Sequence, residues 1–178
     1  MIEGMVTSNL RLKGPRTDAM ARYGRWIGAP EVEPARLVSD DEYIDLALMD
    51  GDWRGLAVYI YEAGDWTVFE EVSGGLGDRA ATEWLSLADG GDLIYAGYND
   101  AIAYGELLCI AGGTVIRHFL DDDQDLDARI DVGRMPHEDR DPLADWTDVA
   151  AWVDRNEDEF SPGAETGWLW IHAVSRKQ

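Results

Sequence analysis

Four aspartates alternate through Asp121, Asp123, Asp125 and Asp127, with Asp122 between the first two, and alternating carboxylates are ligands for a hard cation such as calcium. A twelve-residue calcium loop needs glycine at its sixth position and a bidentate glutamate at its twelfth. Starting at Asp121 puts Leu126 and Val132 there; starting at Asp123 puts Ala128 and Arg134 there. Both registers fail, and a solvated or protein-docking loop is the better expectation. Gly74-Gly75-Leu76-Gly77 looks like a phosphate cradle, but it lacks the lysine of a P-loop and the full spacing of a dinucleotide fingerprint.

The three histidines, His118, His137 and His172, form no pair that one element can present to a metal. Ser73, Ser86 and Ser161 sit in no nucleophile elbow. The single cysteine, Cys109, lies in the apolar run Leu107-Leu108-Cys109-Ile110, where a buried, inert thiol is expected and no internal disulfide is possible. These residues predict no enzyme, no metal and no cofactor.

A chain of 178 residues with 46% hydrophobic and 10% aromatic residues can bury a sizeable core, and one acidic α+β domain over residues 1–178 is expected. Fifteen Lys and Arg against 36 Asp and Glu give a net charge of -21, which repels nucleic acid and anionic membranes and attracts basic partners. Residues 121–160 alone hold fifteen acids and four arginines. No run is long enough to span a membrane and the first five residues lack a basic lead into an apolar stretch, so a soluble cytoplasmic protein is the expectation.

Several elements must position these residues. Pro15 and the spacing of Met20, Tyr23 and Ile27 predict a helix over residues 15–27. Asp78 is placed to cap a second over residues 79–88, and Trp146, Val149, Ala150 and Val153 share one face of a third over residues 146–156. Strands are predicted over residues 43–49, 56–61, 66–70, 93–98, 107–111, 114–120 and 168–172, with turns at Asp50-Gly51-Asp52, Ala63-Gly64-Asp65 and Gly112-Gly113 too short for crossover helices. The expected architecture is a mainly antiparallel sheet of five to seven strands with two or three packed helices. Most tryptophans should fill the core; Trp152, off the stripe of its helix, is the one expected at an interface.

The stretch from Gly91-Asp92-Leu93-Ile94-Tyr95-Ala96-Gly97-Tyr98-Asn99-Asp100 to His118-Phe119-Leu120-Asp121-Asp122-Asp123, with Gly167-Trp168-Leu169-Trp170-Ile171-His172, resembles a set of small bacterial proteins. Some of these look like immunity proteins of polymorphic toxin and contact-dependent inhibition systems. The resemblance contains no catalytic motif. It implies a small antitoxin-like binder, and the acidity of this chain suits one that occludes the basic active site of a cognate toxin domain. Asp121, Asp122, Asp123, Asp125, Asp127 and Trp152 are the expected contact residues; a regulatory or scaffold module unrelated to toxins is the alternative.

Overall fold

The computed structural model describes residues 7–174; residues 1–5, on which the expectation of no leader rests, lie outside them. Within it the alternation of apolar residues builds one nine-stranded sheet. In chain order the elements are β1 (Thr7–Lys13), α1 (Arg16–Ile27), β2 (Glu31–Ser39), α2 (Tyr43–Ala47), β3 (Leu48–Met49), β4 (Asp52–Trp53), β5 (Leu56–Ala63) and β6 (Trp66–Glu71). They continue with α3 (Ala81–Ala88), β7 (Leu93–Asn99), β8 (Tyr104–Ala111), β9 (Thr114–Asp122), β10 (Ile130–Gly133), α4 (Trp146–Arg155), α5 (Glu157–Phe160) and β11 (Thr166–His172). The sheet order is β10-β9-β8-β7-β1-β6-β5-β11-β2, with β3 and β4 a separate two-stranded ribbon. Every pairing is antiparallel.

Successive side chains on a strand point to opposite faces, and both faces of this sheet are covered. In β8, Leu108 and Ile110 join Leu10, Leu12, Val58, Ile60, Phe69 and Tyr95 in a core closed by α1 and α3 through Tyr23, Trp84 and Leu87. Leu107 and Cys109 face the other way and pack with Phe119 under Val149, Trp152 and Val153 of α4 and Phe160 of α5. Further along that second face, Ala57, Tyr59, Leu169 and Ile171 are covered by Ala47 of α2.

The antiparallel α+β class is as expected, but the sheet is larger than five to seven strands. β1, β2 and β10 were absent from the sequence reading: β1 carries Ser8, Asn9 and Arg11 among its apolar residues, β2 is exposed along most of its length, and β10 is four residues long. Residues 43–49 are corrected from a strand to α2 followed by β3, so the turn at Asp50-Gly51 joins β3 to β4. The other strands and the three helices fall where the sequence puts them, within a few residues. Asp78 does not cap α3, whose N-cap is Ala80.

α4 is set by its cap. Asp145 accepts from Thr147 N–H at 2.8 Å while the Asp148 carboxylate accepts from Asp145 N–H at 3.1 Å, a reciprocal pair that satisfies N–H groups in the first turn. The face that meets the sheet is Val149, Trp152 and Val153, rotated from the expected stripe.

Candidate functional site

The row of residues where β6, β1, β7 and β8 lie side by side is polar on the α1/α3 face. Glu71 follows Phe69 on that face and accepts from the Ser8 hydroxyl, Gly97 stands opposite Ser8, and Glu106 opposite Gly97. Gly97 contributes no side chain, and a cavity of about 250 Å³ opens there, lined by Ser8, Glu71, Tyr95, Tyr98 and Tyr104. The glycine-rich loop after β6 forms one wall through Gly74, Gly75 and Gly77, and Asn99, Ile102 and Asp122 stand at the rim.

Two buried carboxylates anchor the site. Glu71, 7% exposed, accepts from Leu76 N–H at 2.6 Å, from Tyr95 Oη at 3.1 Å and from the Ser8 hydroxyl. Glu106, fully buried, accepts from Asp78 N–H at 3.0 Å and Tyr104 Oη at 3.1 Å, and His118 Nε2 lies 3.1 Å from its other oxygen. Burial pushes the Glu71 carboxyl above the usual carboxylate range, against the pull of its three donors, and the Glu106 charge adds to the shift. Burial also drives Tyr95 and Tyr104 upward, so both stay protonated and donate.

The loop is held down tightly. A Cβ on Gly77 would lie 2.8 Å from Tyr95 Oη, 3.0 Å from Tyr104 Oη and 3.1 Å from Glu106 Oε1, so only glycine lets the backbone pass over this cluster. Asp78, next along, takes a left-handed φ of 60° while its N–H is bonded to Glu106.

The acidic segment begins at the same end of the sheet. Asp121 is 5% exposed; it pairs with Arg129 at 2.9 Å and accepts from Trp146 N–H at 2.8 Å, tying the end of β9 to the start of α4. Asp122 stands at the cavity rim, whereas Asp123, Asp125 and Asp127 are exposed. Asp123 N–H bonds Ala103 O at 3.1 Å, which lays the loop against the β7–β8 turn. Beyond it β10 is the last strand of the sheet, paired to β9 alone, and Leu126 and Val132 stand 74% and 55% exposed beside Asp127 and Asp131.

Trp152 is corrected from an interface residue to a core one: it is 9% exposed, with Phe160 edge-on at 5.4 Å. Of the expected contact residues, the structure gathers the five aspartates at one end of the sheet, with Asp121 turned inward, and puts Trp152 on the buried face of α4. Glu71, Glu106, Tyr95, Tyr104 and Ser8 were missed. The signal lay in carboxylates bordering apolar runs, Glu106 ahead of Leu107-Leu108-Cys109-Ile110 and the pair Glu70-Glu71 between Val68-Phe69 and Val72. Cys109 is buried, and burial raises its thiol to about 12, which leaves it without thiolate character.

Among the described residues no group of three or more His, Cys, Asp or Glu side chains is placed to hold a metal ion, and no helix is long and apolar enough to cross a membrane. No protein-family model matches the chain, and no curated protein or solved structure matches it.

Proposed function

We propose that the chain is an immunity-type binding protein that neutralises a basic toxin domain by covering its active site, without catalysis of its own. The observation that carries this reading is the edge of the sheet at β10, where exposed Val132 and Asp131 on the edge strand lie next in sequence to exposed Leu126, Asp123, Asp125 and Asp127 of the loop that leads into it. An apolar centre with a charged rim is the usual anatomy of a protein interface. An edge strand also offers unpaired N–H and C=O groups to an incoming chain.

The charge of -21 gives the surface long reach towards a basic partner, and Asp123, Asp125 and Asp127 supply the steering carboxylates. Leu126 and Val132 supply the apolar area whose desolvation slows release. Asp121 acts indirectly, by fixing Arg129 and the first turn of α4 beneath the acidic loop.

The test is co-expression with the toxin domain encoded directly upstream in the source genome. Restored growth and a complex that purifies at low salt are expected. If growth stays arrested and no complex forms, the immunity reading fails. A complex with a basic protein of another kind would move the chain to the regulatory or scaffold class while keeping the same surface.

A further inference from the structure

We propose that the cavity over Gly97 is a binding site for an organic cation, a guanidinium or ammonium head group held by the Glu71 carboxylate and the rings of Tyr95 and Tyr104, with the Glu106 carboxylate buried beneath Gly77 and Tyr104. The inference stands independently of the toxin-binding reading. Its first ground is unbalanced charge. The donors on Glu71 are a serine hydroxyl, a tyrosine hydroxyl and a backbone N–H; those on Glu106 are a tyrosine hydroxyl, a backbone N–H and His118. Among the described residues no lysine or arginine forms an ion pair with either carboxylate. Buried carboxylates are normally paired with a cation or a metal, so Glu71 on the cavity wall, with Glu106 buried close by, favours a positive occupant.

The second ground is the lining. Tyr95 and Tyr104 border the space with side chains on the Gly97 face, whereas the Tyr98 ring lies on the α4 face, and tyrosine faces attract cations through the ring quadrupole. A bare metal ion would leave those rings unused, whereas a head group carried on carbon fits both walls. A space of about 250 Å³ far exceeds the ~10–15 Å³ that one water needs, yet lies below the ~300–1,000 Å³ of sites for drug-sized ligands. It suits a head group with a short alkyl stem. The third ground is access: Asp122 and the exposed Asp78 place two further carboxylates on the lining of the same cavity, along the route a cation takes inward.

The head group has two sources, a free small molecule or the tip of a partner's arginine or lysine side chain, and one experiment separates them. The intact protein is titrated with n-butylguanidinium and, as the neutral isostere, n-butylurea, at low salt, following backbone amide resonances. The guanidinium should move Gly75, Gly77, Tyr95 and Gly97 and bind at least about tenfold more tightly than the urea, since a hydrogen bond to a charged group contributes about 1.5–3 kcal/mol. Glu71→Gln, which removes the carboxylate on the cavity wall, should weaken it about tenfold or more. Asp122→Asn, at the rim, should weaken it by a smaller factor with an unchanged melting curve, and it decides the matter if Glu71→Gln fails to fold. Equal binding of the urea, or shifts confined to residues 123–127, would overturn the site. A toxin complex that saturating n-butylguanidinium dissolves assigns the pocket to a partner's side chain; one that forms unchanged assigns it to a free small molecule. Failure to find any toxin leaves the titration unaffected.

Discussion

Arg117 of β9 grips Glu138 with two prongs, Nη2 to Oε1 at 2.9 Å and Nε to Oε2 at 3.1 Å, with both side chains buried. The same guanidinium reaches Asp131 Oδ1 at 2.6 Å and Val132 O at 3.0 Å. One arginine therefore fastens the segment between β10 and α4 to the sheet and also binds the edge strand at Asp131 and Val132. Arg117→Ala would leave Glu138 buried without its partner and should cost about 3–5 kcal/mol in urea denaturation. Replacing the pair together, Arg117→Met with Glu138→Leu, should recover most of that loss, because the desolvation cost of both charges goes with them. A single-variant loss below about 1 kcal/mol would show that the pair is not buried in solution.

Trp152→Ala removes a side chain that fills the space between α4, Phe160 and the sheet. A loss of about 3–5 kcal/mol is expected from the transfer and cavity terms together. The effect should appear in denaturation of the isolated protein. A variant of wild-type stability with a faster dissociation rate would instead restore Trp152 to an interface.

The Glu71 carboxyl is raised by burial, so the folded state holds its proton more firmly than the unfolded state does. Stability from this group is therefore fully present below the unfolded value of about 4.3 and is lost as pH rises through the raised folded value. Glu70, also raised by burial and bonded to Tyr61 Oη at 2.5 Å, acts in the same direction. Glu71→Gln keeps a carbonyl for Leu76 N–H and turns its amide towards Tyr95 and Ser8, so the fold can survive without the charge. Melting temperatures from pH 4.5 to 8 should fall with pH less steeply in this variant than in the wild type. Parallel curves would mean that Glu71 ionises without cost.

What was legible in the sequence follows the strength of its local signals. The β-branched and aromatic runs of β5, β6, β7 and β8 and the helical spacing of apolar residues in α4 are local signals and legible in the sequence, whereas the Asp145 cap of α4 is seen only in the structure. β1 was not, because its buried residues include Ser8, Asn9 and Arg11, which interrupt the apolar pattern for reasons that exist only in three dimensions. Arg11, for example, donates to Glu159 O at 2.6 Å, far away in sequence. Residues 43–49 have strand-like composition, yet Tyr43 stacks on Tyr59 at 4.3 Å and Ala47 is buried from a short helix, so packing overrides propensity there. The cavity was invisible for a similar reason: Ser8, Glu71, Gly97 and Glu106 come from four strands and meet only through register. The acidic loop was plain from charge alone, but charge does not separate Asp121, turned inward to Arg129 and Trp146, from its exposed neighbours.

The central claim is that the acidic end of the sheet draws in a basic toxin domain. Its most direct measurement is the association rate of that domain with the wild type and with Asp123→Asn/Asp125→Asn/Asp127→Asn, at low and at physiological salt. Exposed carboxylates in a loop contribute little to folding, so the two proteins should melt alike. The wild type should associate several times faster than the variant at low salt, roughly 3- to 30-fold, and the difference should shrink as salt rises. Identical association rates at both salt concentrations would contradict the claim and leave these aspartates a role in solubility alone.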